Sequence, residues 1–241
     1  IDCVSEAGSS AIVLNGSRLR VEGCRIISAL AVGIRIGNGA LDAASPIVTN
    51  NIIQALSGAN SAAVFDNCTD ALFMGNQILD SDTADVIQLD AECIRARIIG
   101  NVIASGGDDG ININGCGDCL ITHNIITGCT AAALVLQTGT TGLLVRNNLY
   151  TSNGTNGFST PPALTIASGA ITLKGDIDHP WSIDTQSAAA SDDLDTINGG
   201  VEDKFLWLHP TTSGGDITVP ANGNIEFMGN KGSTKLVAGS E

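Results

Sequence analysis

A chain of 241 residues (24.5 kDa) with 43% apolar content is long enough for one large domain or two smaller ones, and is too hydrophobic to be disordered. Eleven Lys and Arg against 25 Asp and Glu leave a formal charge of -14, which repels phosphate backbones and anionic membranes and argues against nucleic acid as a partner. No apolar run of about 18 residues and no basic, apolar leader occurs, so neither a membrane span nor a signal peptide is expected; the opening Ile1 reads as the start of a segment of a longer or processed polypeptide.

In chain order one short phrase recurs: VEGCRI at 21–26, VTNNII at 48–53, FMGNQI at 73–78, IIGNVI at 98–103, ITHNII at 121–126 and LVRNNL at 144–149. It aligns a column of Cys24, Asn51, Asn76, Asn101, Asn124 and Asn147, spaced by 27, 25, 25, 23 and 23 residues, with an aliphatic column two positions later ending at Leu149. A second strand follows each Asn by 10 to 12 residues, alternating inward pairs such as Ile34 and Ile36, Ile87 and Leu89, or Ile111 and Ile113 with outward Arg35, Val64, Gln88, Asn112 and Val135. Twenty-nine Gly beside only 3% aromatic residues suit an aliphatic stack with tight turns. Short repeats of strand and turn without helical periodicity predict an all-β parallel solenoid of about six to seven coils, stacked about 4.8 Å apart. Stacked Asn amides would then hydrogen-bond from coil to coil.

These residues resemble the right-handed parallel β-helix family, which includes pectate lyases, polygalacturonases and bacteriophage tailspike and tail fibre proteins. The resemblance covers about residues 9–150, and residues 1–150 are expected to form the β-helix. It implies a fold shared by lyases, hydrolases, epimerases and non-enzymatic virion parts.

Aligning the coils makes the remaining motifs readable. Cys68, Cys93 and Cys116 form one vertical stack with Gly139 as its next member, and Cys119 joins Ala71, Ala96 and Gly142. Cys116 and Cys119 make a C-x-x-C without a second pair or a His at ligand spacing, so they read as small buried apolar residues, with no metal assigned. Seven cysteines, an odd number, fit assembly in a reducing compartment.

In GGDDGININ at 106–114, Asp109 stands two residues before an inward Ile, as Asp85 does one coil earlier, so the two are expected about 5 Å apart with Asp108 beside them. A second polar column runs through Asp66, Asp90, Asn114 and Gln137. With Gln88 and Asn112 between them, these columns predict an acidic groove over three coils, in which Asp66, Gln88, Asp90, Asn112 and Asn114 bind a ligand. Asp85, Asp108 and Asp109 admit three readings: solvated turn acids, the acid pair of a retaining glycosidase, or a Ca²⁺ site near Asp85 and Asp109. GGDDG resembles the Gly-Asp-Asp-Cys stretch of polygalacturonases, but the His-Gly partner and Arg-x-Lys clamp are missing. His123, His179 and His209 are scattered and form no nucleophile–base pair.

After Asn147 the rhythm breaks. Residues 151–193 read as a cap and linker, with Pro161 and Pro162 as ladder breakers, and 194–241 as a small β module with strands in FLWLHP, GDITVP, NIEFMG and TKLVAG. The stretch 194–230 resembles a module near the C-termini of phage tail fibre and tailspike chains, which implies a homotrimer. Trp181 and Trp207 would then be interface or core anchors.

The resemblances together imply a structural, host-recognising phage tail component, assembled in the host cytoplasm and acting on the virion at the cell surface. Its partners would be two further copies, other tail proteins and a bacterial surface polysaccharide or receptor. A polysaccharide depolymerase (hydrolase or lyase) is the alternative, and a secreted monomeric β-helix enzyme the third reading.

Overall fold

The computed structural model describes residues 2–5, 10–28, 32–38, 42–55, 61–81, 84–90, 92–137, 139–159, 163–173, 175–177, 181–185, 191–198, 208–210, 216–220 and 233–236. It divides into two compact units, Ile1–Ser159 and Thr160–Glu241, and the described residues contain strands and turns but no helix.

The first unit is a parallel β-solenoid of about six turns. Each coil visits four ladders in turn. The first sheet stacks Asp2–Ser5, Arg25–Ser28, Ile52–Ala55, Gln77–Ser81, Val102–Gly106, Ile125–Thr127 and Leu149–Thr151. The second stacks Ile12–Leu14, Ile34–Ile36, Ala63–Phe65, Ile87–Leu89, Ile111–Ile113, Ala132–Leu136 and Thr155–Phe158. A short third ladder joins Gly16–Ser17, Ala43–Ala44 and Cys68–Thr69, then continues as single bridges through Ile94, Gly117 and Thr141. The fourth sheet contains Arg20–Glu22, Ile47–Thr49, Leu72–Met74, Arg97–Ile99, Leu120–Thr122 and Leu143–Arg146.

Period-2 alternation decides what fills the interior. Ile26, Ile53, Ile78, Ile103 and Ile126 lie in register down the first sheet and are fully buried. Phe65 and Phe73, from the second and fourth sheets, meet edge to face with centroids 5.5 Å apart. Each such side chain contributes about 1.5–3 kcal/mol on leaving water.

The turn from the fourth sheet to the first carries the Asn ladder. The residue before each ladder position, namely Gly23, Asn50, Gly75, Gly100, His123 and Asn147, has φ of 55–66°. That left-handed conformation suits Gly and Asn. It aims the next side chain inward, where Asn51, Asn76, Asn101 and Asn124 are at most 1% exposed. Asn101 Oδ1 accepts from the Asn76 backbone N–H (2.9 Å) and Asn76 Nδ2 (3.1 Å), while Asn101 Nδ2 donates to Phe73 O (3.0 Å) and Asn124 Oδ1 (3.0 Å). Every amide position is thereby used. Cys24, which cannot cap in this way, is instead capped from below, its N–H donating to Asn51 Oδ1 at 2.9 Å.

The ladder's last member is Asn148, not Asn147: the Asn124 N–H and Nδ2 both donate to Asn148 Oδ1, at 2.9 and 3.0 Å. The cause is one extra residue between Gln137 and Thr140, because Ile113 pairs with Leu136, 23 residues on, whereas Gly117 pairs with Thr141, 24 residues on. A one-residue slip reverses the faces. Tyr150 therefore aligns with inward Ile126, and Leu149 points outward, 54% exposed. The same slip makes Thr140 rather than Gly139 the neighbour of Cys116, and Leu143 rather than Gly142 the neighbour of Cys119.

The solenoid also runs past residue 150, since Thr155–Phe158 joins the second sheet across a bulge. Asn153 sustains this coil by accepting from the Cys129 N–H at 3.0 Å and donating to Ile126 O at 3.0 Å.

The second unit is made of small strand pairs. Ala163–Thr165, Trp181–Asp184 and Leu208–Pro210 form a parallel sheet, and Ala170–Thr172 pairs in parallel with Thr196–Asn198. Ser191–Asp193 pairs in parallel with Asp216–Pro220, which is antiparallel to Ser233–Leu236. Its buried residues include Ile166, Ile171, Ile183, Leu194 and Ile217. Pairing across positions 193 and 194 replaces the expected linker and separate module with one unit, because strands on both sides of that point need each other's backbone. NIEFMG, His179, Trp207 and the Trp181 side chain lie outside the described residues.

Candidate functional site

The second sheet's outer face carries a groove of about 420 Å³ lined by Val32, Arg35, Ser61, Val64, Ala84, Asp85, Gln88, Asp90 and Asp108. Register explains the assembly. Ile34, Ala63, Ile87 and Ile111 pair successively, so residues two places earlier form the column Val32, Ser61, Asp85, Asp109, and residues one place later form Arg35, Val64, Gln88, Asn112. Val32 and Val64 stand at its base but are only 5% and 4% exposed, although Val64 occupies an outward position, so the groove presents almost no apolar surface. The walls are polar.

Hydrogen bonds fix these walls. Gln88 Nε2 donates to Asp90 Oδ1 at 2.7 Å, Ser61 Oγ donates to Gln88 Oε1 at 3.4 Å, and Arg35 pairs with Asp66 at 3.4 Å. Gln137 Nε2 donates to Asn112 Oδ1 (2.9 Å), and Asn112 Nδ2 donates to Asp85 Oδ2 (2.8 Å). Burial pushes the Asp85 and Asp90 carboxyls above the ordinary carboxylate value, against the opposing bonds from Asn112 and Gln88 respectively.

Asp85, Asp108 and Asp109 place carboxylate oxygens within 4.8 Å of one another, as the coil alignment implies. Their surroundings separate them. Asp109 is 9% exposed, and its Oδ1 accepts from the buried Ala132 N–H at 2.7 Å. Asp85 Oδ1 accepts from the Asp109 N–H at 3.4 Å. The pair thus caps backbone from coil to coil, as the Asn ladder does at its own corner. Burial raises the Asp109 carboxyl as well, with the Asp108 charge adding to it. Of the three only Asp108 is exposed, and it lines the groove while Asp109 does not.

The glycines of GGDDG have a steric role. A Cβ on Gly110 would stand 2.5 Å from Ile126 Cγ2 and 2.6 Å from Ala133 O, and one on Gly106 would stand 2.7 Å from Val86 Cγ2. As a cation site the three acids offer few free oxygens. Ca²⁺ takes about 6–8, whereas Asp109 Oδ1 and both Asp85 oxygens are committed to N–H donors.

A family model described as "Right handed beta helix region" matches residues 10–160. The chain belongs to the right-handed β-helix family. Comparison with curated proteins and with solved structures gives no match. In this β-helix the groove lies one coil nearer the N-terminus than the alignment of acids suggests. Arg35 and Ser61 line it; Asp66 and Asn112 are not among the lining residues but bond to two of them, Arg35 and Asp85; Asn114 follows Asp90 in its column and is not among the lining residues either. The signal for Ser61 is present in the sequence, since it has the same offset from Ala63 as Asp85 has from Ile87.

Among the described residues the thiols join no second cluster of candidate metal ligands. Cys68 donates to Cys93 at 3.5 Å, and that bond, with burial, pushes the Cys68 thiol up. Cys116 is raised by its bond to Cys119 and by burial, and Cys119 is lowered by the same bond. Cys24, Cys68, Cys93, Cys116, Cys119 and Cys129 are free, and all of these except Cys24 are buried.

Proposed function

We propose that the protein is a structural and host-recognition component of a bacteriophage tail, a fibre or tailspike segment whose second-sheet groove binds a bacterial surface glycan. The observation that carries this reading is the groove, lined by the polar side chains of Arg35, Ser61, Gln88, Asp85, Asp90 and Asp108. A sugar offers a matching rim of hydroxyls that both donate and accept. Charge narrows the class. Three carboxylates line the groove against one guanidinium, itself paired with Asp66. Uronate, sialate and phosphate polymers are repelled, and neutral or amino-sugar glycans are favoured. A stiff solenoid suits the tail role because it transmits load along its axis and presents lateral positions at a fixed repeat. Several copies side by side, on a virion, complete the reading.

A depolymerase is the second reading, favoured by one observation: burial holds a proton on Asp85 to higher pH, and exposed Asp108 lies within 4.8 Å. Asp85 would protonate the leaving oxygen and Asp108 would act as nucleophile or base. An array of bacterial surface glycans probed with the 241-residue chain tests both. Binding that falls tenfold or more in a Gln88→Ala, Asp90→Asn variant supports recognition. New reducing ends that disappear in Asp108→Asn support hydrolysis. No glycan bound, or binding indifferent to both variants, contradicts the groove assignment.

A further inference from the structure

Four of the chain's seven cysteines meet at the interior corner where the second sheet passes through the short third ladder into the fourth. Cys68, Cys93 and Cys116 share one register column, because Thr69, Ile94 and Gly117, each one place later, are bridged in series. Cys119 lies against them: its Sγ donates to Cys93 O at 3.8 Å, and it shares a hydrogen bond with Cys116. All four are at most 1% exposed. One coil earlier the same column holds Ala43, paired with Cys68, so a small apolar filler at this corner does not by itself require sulfur.

Geometry singles out one pair. Cys68 Sγ stands 3.5 Å from Cys93 Sγ. Their Cα atoms are one coil rise apart, about 4.8 Å, inside the span of roughly 4.4–6.8 Å that a disulfide bridges. We infer that Cys68 and Cys93 are an oxidisable pair that closes into a disulfide and staples two consecutive coils. The oxidant is a peroxide no larger than a few water molecules, hydrogen peroxide being the simplest. It oxidises one thiol to a sulfenic acid and leaves as water; the second sulfur then attacks the first, the S–O bond breaks, and a second water departs. The two sulfurs together give two electrons to the O–O bond, and both thiol hydrogens end in water. Burial and the Cys93 contact push the Cys68 thiol up, so the closed corner holds little thiolate and reaction waits on local opening. The wall over the pair is weakly held, with two-residue strands at Ala43–Ala44 and Cys68–Thr69 and single bridges at Ile94, Gly117 and Thr141. Short pairing of this kind opens at little cost. The coils therefore stay unlinked among thiol reductants and become linked in oxidising surroundings. Nothing in this depends on the groove or its ligand.

Mass spectrometry of the reduced 241-residue chain after exposure to hydrogen peroxide tests the pair. The chain is expected to lose the mass of two hydrogens, reversibly with a dithiol, and an aspartate-specific digest should show the Cys68 peptide joined to the Cys93 peptide. The link closes a loop across 25 residues, so the urea midpoint should rise by about 1 M. Cys68→Ala, which repeats what Ala43 does one coil earlier, should fold and lose both the link and the rise; Cys93→Ala should do the same, and serves if the first variant does not fold. Cys24→Ser, at a half-buried thiol in another corner, should keep both. No joined peptide in the folded wild type, even in urea just below its transition, overturns the inference. A Cys116–Cys119 link without a Cys68–Cys93 link overturns the choice of pair.

Discussion

Two corners of the solenoid do the same mechanical task with different side chains. Where the fourth sheet turns into the first, Asn51, Asn76, Asn101, Asn124 and Asn148 cap one coil after another. Where the first turns into the second, Asp85 caps the Asp109 N–H and Asp109 caps the Ala132 N–H, and there the acid series stops. An amide both accepts and donates, so it tiles without limit. A carboxylate only accepts, and stacking one on another sets like charges together in a half-buried place. The first corner is built for stability. The second keeps charge beside a groove although neutral residues would stack better, which is the pattern expected where function opposes stability.

The largest effect should come from breaking the amide ladder. Asn101→Ala removes both acceptor and donor contacts from a fully buried site and strands the Asn76 N–H and Phe73 O, so a loss of about 4 kcal/mol is expected from urea midpoints. Next comes Gly110→Ala, whose new Cβ meets Ile126 and the Ala133 carbonyl; about 2 kcal/mol should be lost by the same measurement.

A smaller effect concerns pH. Asp85, Asp90 and Asp109 all hold protons above the ordinary value of 3.8. The folded chain therefore binds more protons than the unfolded one between that value and the raised ones. Stability should fall as pH rises through this window and level off above it. Asp70 has the opposite sign, because the Arg95 hydrogen bond holds it low, but the pair is exposed and should add only a weak, salt-sensitive contribution.

Legibility in the sequence follows repetition. The Asn phrase and the alternating Ile pairs define the coil, its registers and the neighbourhood of Asp85 and Asp109, because each column repeats the same physical demand. The repeat misplaces Asn147 and Leu149 because Val-Arg-Asn-Asn-Leu fits two registers, and the extra residue that selects one of them lies in a turn whose length no periodicity constrains. The cap formed by Asp109 is hidden for another reason: it depends on a backbone N–H one coil away, which has no side-chain signature. Groove residues Arg35 and Ser61 sit on columns that the repeat identifies, but a site traced through the acids alone falls one coil too far along.

The contrast between the corners is tested most directly by the unfolding midpoint of Asp109→Asn at pH 7. The variant keeps an oxygen for the Ala132 N–H and turns a charge into a donor beside Asp85 and Asp108. Its midpoint should equal or exceed that of wild type, by up to about 1 kcal/mol, with a flatter pH profile. A midpoint clearly below wild type would mean that the negative charge itself holds this corner together, and the account of an acid site kept against stability would fail.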